Sequence, residues 1–166
     1  MKNVIKRFWP LLLVGLILIA VLIGVLVSHL RSTPERAVEG YIRASLQYDA
    51  DGLLKYASAY QLTALKGNVE MDLDTLRETL KTGYGQAMDY RETGKITFES
   101  EVKELIEPGT EAFEELLTEY AFKADPSEVQ AFASVTARCY IDGKLQRTYS
   151  AIAVRCDGTW YYGFIA

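Results

Sequence analysis

A chain of 166 residues that is 49% apolar yet has a mean hydropathy of +0.02 is built from two unlike parts. All 22 acidic residues, and all of the 18 basic ones except Lys2, Lys6 and Arg7, lie beyond residue 30. That larger part is acidic and repels phosphate backbones, which excludes nucleic acid as a partner, and it is long enough to bury a core without metal or disulfide staples.

From Phe8 to Leu30 there is no Lys, Arg, Asp or Glu. As a helix this run measures roughly 34 Å, more than a hydrocarbon core of about 30 Å. A secretory leader has a shorter apolar stretch, about 7 to 15 residues, and a small-x-small cleavage site. The "SHLRS" that follows offers no such site and no cysteine to accept lipid. The expectation is an uncleaved anchor: residues 1–7 a cytoplasmic tail, 8–30 a transmembrane helix and 31–166 an extracytoplasmic domain. Lys2, Lys6 and Arg7 against Arg31 alone keep the amino terminus in the cytoplasm. Trp9 suits the membrane interface, His29 reads as a neutral interfacial residue, and Ala20, Gly24 and Ser28 form a small-residue ladder along which two spans can approach.

Thr33 is placed to cap a helix with Pro34 at its first position, where no N–H is needed. Val38, Tyr41, Ile42, Ser45 and Leu46 then recur at the spacing of a helix lying on a core. "DADG", Asp49 to Gly52, ends it. That stretch imitates the opening of a calcium loop but lacks the third acidic position and the distal glutamate, so it reads as a turn between helices. A second helix carries Leu53, Leu54, Ala57, Tyr60 and Leu62. A third, from about Asp74, sets Leu76, Leu80, Tyr84, Ala87 and Met88 on one side.

After Gly94 the period changes to two: Ile96, Phe98, Ser100 and Val102 alternate with Thr97, Glu99, Glu101 and Lys103, a half-buried strand. Pro108 and Gly109 break it, and Thr110 caps a helix with Phe113, Leu116, Leu117 and Tyr120 inward. From Ser127 on, Asp142-Gly143 and Asp157-Gly158 separate three strands. On the first of these, Val129, Ala131, Ala133, Val135, Ala137, Cys139 and Ile141 share one face, with Phe132, Ser134, Thr136, Arg138 and Tyr140 on the other. The last strand sends Trp160, Tyr162 and Phe164 one way. A two-residue turn sets Cys139 opposite Gln146, and a three-residue loop sets it opposite Arg147.

This order, with "TPERAVEGYIRASLQYDADGLLKYAS" (residues 33–58) at its start and "VRCDGTWYYG" (154–163) near its end, resembles the nuclear-transport-factor-two-like (cystatin-like) superfamily. More closely, it is similar to small bacterial envelope proteins in which one span precedes such a domain. The resemblance implies an α+β fold: a cone-shaped domain of about four helices packed on a curved antiparallel sheet, sometimes around a pocket. It implies no single activity, because the fold hosts isomerases, dehydratases, transport adaptors and secretion-machine parts.

The outer domain lacks histidine, which removes Ser-His-Asp and Cys-His nucleophile systems and most zinc sites. No CxxC, HExxH or phosphate-cradling glycine loop occurs. We expect no metal, no cofactor and no catalytic residue. Cys139 and Cys156 fall roughly 30 Å apart along one hairpin in either register, beyond the reach of a disulfide, so free thiols are expected. Glu99, Glu101, Glu104, Glu107, Glu111, Glu114, Glu115 and Glu119 form a solvated face.

The eleven tyrosines all lie past residue 40. Tyr41, Tyr84, Tyr149, Trp160 and Tyr162 are the candidate pocket-lining residues. Tyrosine also fills places where a core meets water, its ring buried and its hydroxyl wet. The first expectation is a non-enzymatic binding or interaction module in the cell membrane, its domain outside, taking a protein partner, a second copy or a small apolar ligand. Two alternatives stand beside it: a subunit of an envelope secretion or spore-type assembly, and a pocket isomerase or dehydratase in which a carboxylate base meets a tyrosine hydroxyl.

Overall fold

The computed structural model describes residues 32–67 and 69–166. The proposed span 8–30, with Trp9, His29 and the small-residue ladder, lies outside them. Among the described residues no helix is long and apolar enough to cross a membrane.

The described chain is α+β, five α-helices and a four-stranded antiparallel sheet. Helix α1 (Pro34–Gln47) starts where Thr33 accepts a hydrogen bond from the Arg36 N–H at 3.3 Å, and it ends at Tyr48, which turns left-handed at φ 55°. Asp49 then caps α2 (Ala50–Tyr56) by accepting from the Gly52 N–H at 3.0 Å. Only Asp49 of "DADG" serves as the turn; Asp51 and Gly52 already lie in the first turn of α2.

The second expected helix is two helices. Ala57 and Ser58 leave the helical path to bridge β4 (Thr159–Ile165), the Ser58 N–H donating to the Tyr162 carbonyl at 3.0 Å. The Ser58 hydroxyl caps α3 (Ala59–Lys66). Helix α4 (Leu73–Gln86) buries Leu76 fully, and its Arg77 pairs with Asp51 of α2 at 2.9 Å. Gly40 lets α1 pass over α2, since a Cβ there would meet the Tyr56 ring at 2.5 Å.

The sheet order is β1 (Ile96–Ile106), β2 (Val129–Ile141), β3 (Lys144–Cys156), β4. Helix α5 (Glu111–Ala121), capped by Thr110, joins β1 to β2. Both Asp-Gly turns have positive φ at each residue, 50° and 77° at Asp142 and Gly143, 49° and 74° at Asp157 and Gly158, the twist a two-residue hairpin needs. The first turn is tight, Ile141 facing Lys144, yet Cys139 faces Arg147 because Gln146 is an extra residue in β3. Each expected register is half right: the loop length of one and the pairing of the other.

Helix α1 packs on one face of the sheet, with Val38 and Ile42 over Ala133, Val135, Ala137, Ala151, Ala153 and Tyr162. Helix α5 packs on the other, where Ile106, Phe113, Tyr120, Phe132, Ile152, Val154 and Phe164 form a second core. Phe132 lies on the face opposite Ala133 and Val135, as the alternation expects, and is fully buried against Phe113 and Tyr120. Two face assignments change. Val129 packs in the second core, because Gln130 is an extra residue between Val129 and Ala131 in their pairing with Cys156 and Arg155. Phe164 does not share a face with Trp160 and Tyr162, because Gly163 is an extra residue between Tyr162 and Phe164 in their pairing with Ala153 and Ile152. A bulge of one residue moves every later side chain to the opposite face.

Candidate functional site

The strands β3 and β4 differ in length, and the cleft follows from that. Strand β4 pairs with β3 only from Ala151 to Cys156, so among the described residues Lys144–Ser150 has β2 on one side and no strand on the other. Helix α1 crosses above this open stretch. The space between them is a cleft of about 290 Å³. Helix α1 contributes Tyr41, Ile42, Ser45 and Leu46; β3 contributes Arg147, Thr148, Tyr149 and Ser150; Tyr162, Ile165 and Ala166 close the far side.

Tyr41 and Tyr162 stack face to face, ring centres 4.1 Å apart and 2° from parallel. The Tyr41 hydroxyl donates to Gln61 Oε1 at 3.3 Å. Burial, reinforced by the Tyr162 and Tyr84 hydroxyls, pushes Tyr41 up to about 12. Burial also raises Tyr162, with a contribution from Tyr149, and raises Tyr149 against the opposing pull of Arg147. All three hydroxyls are therefore neutral donors at physiological pH. The Arg147 guanidinium lies 5.2 Å from the Tyr149 ring centre.

Three of the five candidate residues, Tyr41, Tyr149 and Tyr162, meet in this cleft. Trp160 packs against the same core without lining the space, and its backbone is held by Ser32, whose Oγ accepts from the Trp160 N–H at 2.7 Å and donates to its carbonyl at 3.2 Å. Tyr84 stacks on Tyr48 at 5.1 Å instead. Arg147, Thr148 and Ser150 were missed as lining residues. Their signal was the spacing of the two Asp-Gly pairs, which makes β3 longer than the strand that follows it.

Among the described residues no Asp or Glu side chain lines the cleft. A tyrosine hydroxyl does meet a carboxylate, Tyr140 donating to Glu99 Oε2 at 2.7 Å, but on the solvent-facing side of the sheet. The eight glutamates from Glu99 to Glu119 are all exposed. Among the described residues no group of three His, Cys, Asp or Glu could hold a metal.

A second cavity, about 400 Å³, opens between α3 and the β3–β4 turn, with Ser58, Tyr120 and Cys156 inside and Asp125, Glu128 and Asp157 among its lining. Burial pushes Tyr120 up to about 12, and its hydroxyl is engaged with Ser58, Cys156 and the Tyr60 backbone. Both cysteines are free, Cys139 buried opposite Arg147 and Cys156 opposite Val129 at the other end of the ladder. Compared with known protein families, with curated proteins and with solved structures, the chain matches none.

Proposed function

We propose that this chain is a membrane-anchored binding module of nuclear-transport-factor-two-like type, in which the tyrosine cleft takes a small ligand with an apolar body. Residues 8–30 hold it in the cell membrane, the amino terminus in the cytoplasm and the domain outside. The carrying observation is the parallel Tyr41–Tyr162 pair at the edge of an open cleft. Such rings offer large, rigid apolar area to a ligand at little conformational cost. The volume is near the lower end of the roughly 300–1,000 Å³ usual for small-molecule sites, which favours a ring-sized ligand. A lining of hydroxyls, rings and one guanidinium, with no Asp or Glu side chain among the described residues to act as base, supports binding over proton-transfer chemistry.

Two experiments test the reading. Saturation-transfer NMR on the full-length protein in detergent micelles, with 2-naphthylacetamide as probe, gives a signal that weakens at least tenfold in Tyr162→Ala; an unchanged signal contradicts the cleft. Protease shaving of intact cells removes the tyrosine-rich domain; its protection contradicts the topology.

A further inference from the structure

We infer that the cleft selects an anion: a compact aromatic or alicyclic acid whose carboxylate is held by Arg147. This rests on the cleft being a binding site and names its ligand class.

The domain is acidic as a whole, so its general field repels anions. Within the cleft Arg147 is the one charged side chain among the described lining residues. Among the described residues no carboxylate lies within ion-pair distance of it. Its recorded contact is the face of Tyr149, which orients the planar group while leaving its N–H fork free. A guanidinium presented this way matches a carboxylate with two parallel hydrogen bonds. Opposite stand the stacked rings of Tyr41 and Tyr162, which suit a flat apolar body. Both ends of the ligand are thus specified: a ring against the tyrosines, an anionic head at the rim.

The test is a matched pair, 2-naphthylacetate and 2-naphthylacetamide, which share a ring system and differ in charge. Affinities are measured by saturation-transfer NMR on the full-length protein in micelles, with Tyr41→Ala as the background. The wild type binds the acid about five- to tenfold more tightly than the amide, as a partly solvated ion pair permits, and the preference shrinks as salt is raised. Arg147→Gln makes the two equal, with an unchanged circular-dichroism spectrum showing the variant folded; Arg147→Lys keeps part of the preference. Equal affinities in the wild type, or an Arg147→Gln loss shared by both probes, overturn the anion assignment and leave the cleft standing. Absence of binding by either probe, or binding that survives Tyr41→Ala, overturns the cleft reading and this inference with it.

Discussion

The two faces of the sheet use similar materials and reach different ends. Under α5, rings meet at an angle and interlock: Phe113 on Phe132 at 5.4 Å and 54°, Tyr120 on Phe132 at 6.2 Å and 63°, Tyr60 on Phe164 at 5.0 Å and 45°. Under α1, the strands present Ala133, Ala137, Ala151 and Ala153, so the helix sits close on short side chains, and the rings gather at one end in a parallel stack beside open space. Tilted rings fill a layer. Small residues followed by stacked rings leave a cleft under α1, and the comparison teaches that the layer around Phe132 is filled at its centre, with open space only at its margin beside Tyr120 and Cys156.

Substitution at the centre of the closed face has the largest expected effect. Phe132→Ala removes a fully buried ring and destabilises by about 3–5 kcal/mol, whereas Tyr149→Ala, at a partly buried cleft position, costs about 1 kcal/mol. Denaturant titration of the two variants side by side checks this, and equal losses would erase the distinction. Next comes the bulge that sorts β4 between the faces. An added Cβ at Gly163 would lie 2.7 Å from the Ile152 carbonyl oxygen, so Gly163→Ala costs about 1–3 kcal/mol and shifts the near-ultraviolet signals of both layers.

Alkaline pH probes the two faces together. An unfolded tyrosine ionises near pH 10, while Tyr41 on one face and Tyr120 on the other hold their protons to about 12. The folded state thus binds more protons in that window, so their contribution is whole below pH 10 and is lost as pH rises toward 12. Tyr41→Phe and Tyr120→Phe each make the alkaline decline shallower; a decline of unchanged slope in both would contradict the assignment. The smallest effect is Tyr41→Phe at neutral pH. It removes a 3.3 Å hydrogen bond to Gln61, costs about 0.5–1 kcal/mol, and leaves naphthyl binding in place because the ring remains.

Much of this architecture was legible in local chemistry. Thr33 and Thr110 mark helix starts, the Asp-Gly pairs mark hairpins, and the change of period after Gly94 marks the first strand, because each signal acts within a few residues. What escaped the sequence depends on distant groups. The break at Ala57 and Ser58 is stitched to the Tyr162 carbonyl, and the extra residues Gln146 and Gly163 become visible only against partner strands. The same holds for the site. Tyr41, Tyr149 and Tyr162 were found through composition and face, but Arg147 joins them because β4 covers only half of β3, and Tyr84 stacks on Tyr48 instead.

The most direct measurement labels the tyrosine rings for NMR in the full-length protein and titrates 2-naphthylacetate. Shifts confined to Tyr41, Tyr149 and Tyr162, with Tyr60 and Tyr120 of the closed face unmoved, are the result expected. Shifts centred on Tyr60 and Tyr120, or none at saturating probe, would contradict a binding cleft under α1.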